Sequence, residues 1–73
     1  MNRLREARFR RRISQLRLFK VTGVWPSKIS AIENDLLPPT GEQKKKLSKA
    51  LNYPIEWLFP IEDREGENAE ELR

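Results

Sequence analysis

The chain has 73 residues with no cysteine and no histidine, which rules out a disulfide framework, a thiolate metal site and imidazole proton transfer, and leaves no constellation suited to catalysis. Its length suits one small domain with a modest core, since a domain of about this size buries only roughly 60% of its unfolded surface. The net charge of +4 divides unevenly, with 13 Lys and Arg against 5 acidic residues in 1–59 and 2 against 6 in 60–73, so a basic body with an acidic tail points to a polyanionic partner, nucleic acid first and an anionic membrane surface second.

Asn2 suits a helix cap, and Leu4, Ala7 and Arg11 recur at helical spacing, so residues 2–12 read as a first helix crowded with arginine. The arginines at 3, 5, 8, 10, 11 and 12 would also suit an organelle-targeting segment. Ile13 before Ser14, with Leu18 four positions inside, forms a hydrophobic staple around a capping serine and starts a second helix that ends near Thr22 at Gly23. A third start follows at Pro26, a residue favoured at the first helical position, with Val24 and Ile29 again at staple spacing and Ile29, Ile32 and Glu33 on one side. Two short helices joined by a tight glycine turn form a helix-turn-helix pattern.

Leu36-Leu37-Pro38-Pro39 cannot continue a helix. Thr40 and Gln43 have capping-box spacing, and Leu47, Ala50 and Leu51 give a fourth helix its inner face, with Asn52 as a left-handed terminator. A last short helix over 55–59 lies between Pro54 and Pro60. Residues 60–73 read as a mobile acidic tail or a frayed helix over 68–72, so the expected division is a helix-turn-helix domain over 1–59 and an acidic tail over 60–73. No apolar run reaches the ~18 residues of a spanning helix, and the amino terminus lacks the apolar middle of a secretory signal, so the expected location is the cytoplasm.

The segments LREAR (4–8), ISQ (13–15), TGV (22–24), KISAIEN (28–34), LSKAL (47–51) and IEWLF (55–59) resemble, in order and spacing, the five-helix DNA-binding domain of the phage lambda repressor and Cro group, the xenobiotic-response-element type of transcriptional regulator. The resemblance covers residues 3–59 and rests on the ordered set, since no one segment is specific. It implies an all-α fold of five helices, no enzymatic activity, no cofactor and double-stranded DNA as partner. It also implies a mechanism: the second helix crosses the phosphate backbone, the third enters the major groove, and a two-fold dimer meets half-sites roughly 34 Å apart.

Roles carried over from the resemblance place Trp25, Pro26, Ser27, Lys28 and Ala31 toward base edges. Lys28 is the strongest reader, able to reach guanine O6 and N7, while Ala31 can touch only a thymine methyl. Trp25 replaces the usual capping Ser or Thr; it either folds against Val24 and the core rim or lies against sugar and thymine methyl. Gln15 falls where the family holds a phosphate at a helix amino end. Arg10, Arg11, Arg17, Ser30, Asn34, Lys44 and Lys45 are further phosphate candidates, with Arg12, Lys20 and Lys46 beside them. Arg8 and Glu33 match a structural salt bridge between the first and third helices. Leu36, Leu37, Trp57 and Phe59 are the dimer candidates, with Leu58 and Trp57 alternatively completing the core.

Three departures bear on groove geometry. Phe19 stands where the family strongly prefers alanine, so its ring must open the angle between the second and third helices or swing outward; Arg12 replaces a common glycine; and the Leu-Leu-Pro-Pro loop replaces a basic one. A protein-binding module, an antitoxin or adaptor that engages a partner through the Leu36-Leu37 loop and the acidic tail, is the alternative function. Docking of the first helix on anionic lipid is disfavoured, because Leu4, Ala7 and Phe9 make too small an apolar face.

Overall fold

The amino-terminal helix begins with a side chain two residues upstream of it. In the computed structural model, which describes residues 2–60, α1 spans Leu4–Arg11 and Arg3 occupies its cap position without a side-chain bond. Asn2, expected at the cap, instead stands one residue earlier: its Oδ1 accepts the Leu4 N–H at 3.0 Å, while its Nδ2 donates to the Ile32 carbonyl at 2.7 Å and to Asp35 Oδ1 at 3.0 Å. A carboxamide carries donors and an acceptor together, so one side chain both starts α1 and ties it to the last turn of the third helix and the turn that follows it. Arg12 ends α1 in the left-handed conformation (φ 56°), and the Ile13 N–H closes the turn on the Arg8 carbonyl at 2.9 Å.

Helix α2 spans Gln15–Thr22, and Ser14 Oγ accepts the Arg17 N–H at 3.0 Å, which satisfies one of the amides that a helix start leaves unpaired. Gly23 terminates it at φ 79°. Thr22 is buried; its hydroxyl donates to the Leu18 carbonyl at 2.7 Å and accepts the Val24 N–H at 3.1 Å, so the tight turn is held from inside. Helix α3 spans Pro26–Glu33, with Trp25 at a cap position that has no side-chain bond.

Thr40 and Gln43 form the complete capping box of α4 (Gly41–Leu51): Thr40 Oγ1 accepts the Gln43 N–H at 3.1 Å and Gln43 Oε1 accepts the Thr40 N–H at 2.9 Å. Thr40→Ala is expected to lower unfolding free energy by about 1 kcal/mol in urea titration, with Thr40→Ser close to the parent. Asn52 (φ 57°) closes the helix, and α5 (Ile55–Leu58) follows Pro54. It stops one residue short of the expected Phe59.

Five helices and no strand are present among the described residues. Their apolar faces converge on one core of Leu4, Ala7, Leu18, Val24, Ile29, Ile32, Leu47, Leu51, Leu58 and Phe59. Helix α2 packs on both α3 and α4. Phe59 is 3% exposed; just past the end of α5 the ring turns inward and helps to close this small core, which removes it from the dimer candidates. The frayed helix expected over 68–72 lies outside the described residues.

Candidate nucleic-acid interface

One buried carboxylate organises the interface. Glu33, 4% exposed at the end of α3, accepts from Arg8 Nε at 2.6 Å and Arg8 Nη2 at 3.3 Å, from Gln15 Nε2 at 3.2 Å and from Arg5 Nε at 3.5 Å. Arg8 Nη1 donates onward to the Ile13 carbonyl at 3.0 Å. A buried charge is tolerated when it is paired and its lone pairs are filled; here that requirement draws α1, the first turn of α2 and α3 onto a single point. The angle between α2 and α3 is therefore held by polar contacts as well as by the core.

Arg5, to which the family resemblance assigns no contact, stands three residues before Arg8 and so shares its helix face. It meets Glu33 and also donates from Nη2 to Asn34 Oδ1 at 3.0 Å. Asn34, expected at a phosphate, spends its carboxamide within the domain, since Nδ2 donates to the Ser30 carbonyl at 2.8 Å. Gln15 sits half-buried at the amino end of α2 with one amide hydrogen toward Glu33; an amide has two.

At the amino end of α3, Trp25, Ser27 and Lys28 are exposed, with Pro26 and Ala31 half-buried. Lys28 has no ion-pair partner among the described residues. Trp25 is 62% exposed and stacks on the half-buried Phe19 with ring centres 4.7 Å apart and planes 20° from parallel. Two departures from the family pattern thus meet: the ring of Phe19, packed against the core edge, carries the ring that replaces the capping residue of α3.

The cations separate into two groups. Arg11, Arg12, Arg17 and Lys20 line an open groove beside the start of α2, and Lys44 and Lys45 lie in the first turns of α4, where Lys46 pairs with Glu42 at 3.8 Å. Arg10 and Arg11 are held by groups of the domain itself, Arg11 at the edge of that groove. Arg11 Nε donates to the Leu51 carbonyl at 2.8 Å and Nη2 to the Asn52 carbonyl at 3.1 Å, with its guanidinium 4.2 Å from the centre of the Tyr53 ring. These bonds satisfy carbonyls at the end of α4 that the helix itself leaves open.

Arg10 pairs with Glu6 at 2.7 Å and lies 5.3 Å from the Trp57 ring centre; hydrogen bonding toward Tyr53 first, and the Glu6 charge second, raise its pKa above the ordinary arginine value. Both arginines expected at phosphates are thus engaged with partners inside the domain. Trp57 itself stacks on Tyr53 at 4.5 Å. Of the dimer candidates, Leu36 at 78% and Leu37 at 38% are the exposed ones.

No described helix is long and apolar enough to cross a membrane. Comparison with the curated proteins and with the solved structures returns no match. Residues 4–58, from the first residue of α1 to the last of α5, match the helix-turn-helix family model. On that match and this five-helix architecture, the chain belongs to the lambda repressor and Cro-like helix-turn-helix family and is a double-stranded DNA-binding transcription regulator of the xenobiotic-response-element type.

Proposed function

We propose that the protein is a repressor that binds as a homodimer to a two-fold related site, reading bases through Trp25, Pro26, Ser27, Lys28 and Ala31. The observation that carries this reading is the exposed first turn of α3, with Lys28 without an ion-pair partner among the described residues, on a helix whose far end is held by Glu33. Gln15, Arg17, Ser30, Lys44 and Lys45 are the phosphate contacts, grouped around the amino ends of α2 and α4 and the side of α3. Leu36 and Leu37, exposed on the loop after α3, form the subunit contact.

Selection from a random duplex library at about physiological salt tests this. The expected result is a two-fold related site, with Lys28→Ala losing about tenfold in affinity and relaxing preference at one base pair per half-site, in keeping with the 1–3 kcal/mol of a good base contact. Enrichment of a single half-site would remove the dimer; salt-sensitive retention with no enriched sequence would remove specific readout. The exposed Leu36-Leu37 pair also favours a second reading, an antitoxin or adaptor that docks a protein there. Leu36→Asp that abolishes cooperative binding to the two-fold site, with half-site binding intact, supports the dimer over that reading.

A further inference from the structure

The amino end of α3 is poor in hydrogen-bonding groups and rich in apolar ones. Of its five groove-directed residues, Ser27 and Lys28 carry polar side-chain heads and Trp25 a single indole N–H on an otherwise apolar ring; Pro26 lacks even an amide hydrogen, and Ala31 presents a methyl. The largest surface at this edge is the Trp25 ring, 62% exposed but stacked on Phe19 at 4.7 Å. In the major groove the distinctive apolar feature is the C5-methyl of thymine. A free tryptophan would lose rotamer freedom on meeting it, whereas a ring already stacked in place has less to lose.

We propose that Phe19 is a positioning residue that holds Trp25 as a fixed apolar plate, and that Trp25 supplies sequence preference by contact with a thymine methyl. This rests on the DNA reading above and names the chemistry by which that edge discriminates. Phe19 touches no base: it acts from the half-buried side of the stack. It follows that the pair is one device, in which replacing Phe19 is felt at the base contacted by Trp25.

The test uses the full chain and the best-enriched duplex, with thymines replaced one position per half-site by uracil, which lacks only the methyl. The parent is expected to bind one such uracil duplex about three- to fivefold more weakly, the factor that burying one methyl-sized group supports. In Trp25→Ala the ratio between thymine and uracil duplexes is expected to fall to about 1. Phe19→Leu keeps apolar bulk without a ring and should lower the ratio toward 1, while Phe19→Tyr keeps the ring and the ratio; circular dichroism verifies that each variant is helical.

A parent ratio of 1 at every thymine of an enriched site overturns methyl reading and leaves the DNA reading standing. An undiminished ratio in Phe19→Leu overturns the positioning role alone. If no duplex is enriched at all, the DNA-reading proposal fails and this inference with it, an outcome distinct from the other two.

Discussion

Glu33→Ala is expected to destabilise the domain by about 3–5 kcal/mol, the range for breaking a buried ion pair on one side. The side chain of Glu33 has no exposed surface and that of Arg8 is 10% exposed, so removing the carboxylate strands a guanidinium that solvent cannot easily reach. Gln15 and Arg5 lose an acceptor in the same step. Small domains are stable by only about 5–15 kcal/mol, so the variant should be partly unfolded at 37 °C and show a sharply lower urea midpoint. The double variant Arg8→Met, Glu33→Leu should recover most of the loss, because it removes both charges. A double variant no more stable than Glu33→Ala would mean that the pair stabilises through its own attraction and not by avoiding an uncompensated charge.

Leu18→Ala is expected to lower stability by about 2–5 kcal/mol, as deletion of a fully buried leucine leaves a cavity as well as losing transfer free energy. Leu18 is wholly buried on α2, the helix that packs against both α3 and α4. Urea unfolding followed by far-ultraviolet circular dichroism reads the change, and Leu18→Met, which keeps the volume, should lose less than about 1.5 kcal/mol. A loss below 1 kcal/mol for Leu18→Ala would show that the core collapses around the missing side chain. DNA binding by Leu18→Ala at low temperature, where the folded fraction is high, should survive, whereas Lys28→Ala loses binding without losing stability.

Features set by near neighbours were legible from the chain alone. Ser14 with Ile13 and Leu18, Gly23 after Thr22, Pro26, and the Thr40–Gln43 capping box act within one turn of backbone, so their chemistry and their spacing are read together. The Arg8–Glu33 contact was expected from the family resemblance rather than from periodicity. What stayed hidden depends on partners far along the chain: Asn2 reaches Ile32 across 30 positions and Arg11 reaches Leu51 across 40, and no local pattern encodes such a reach. Arg10 and Arg11 illustrate the limit, since an arginine beside a basic helix reads as a phosphate ligand until an aromatic ring or an open carbonyl is found next to it. Phe19 and Trp25 each looked like an isolated departure; only their proximity makes them one feature.

The bond from the Arg3 N–H to the Leu58 carbonyl, at 2.8 Å, brings entry and exit of the domain together. With Asn2 fastened to Ile32 and Asp35, that meeting place lies beside the carboxyl end of α3, about 12 Å along the helix from its reading edge. Lys28, by contrast, stands in the first turn of α3, at the end of the helix away from this meeting place. A chain whose first and fifth helices are tied in this way behaves as a closed ring of elements, so that loosening the Arg3–Leu58 bond releases α1 and α5 together while the reading edge stays on the far side of the core.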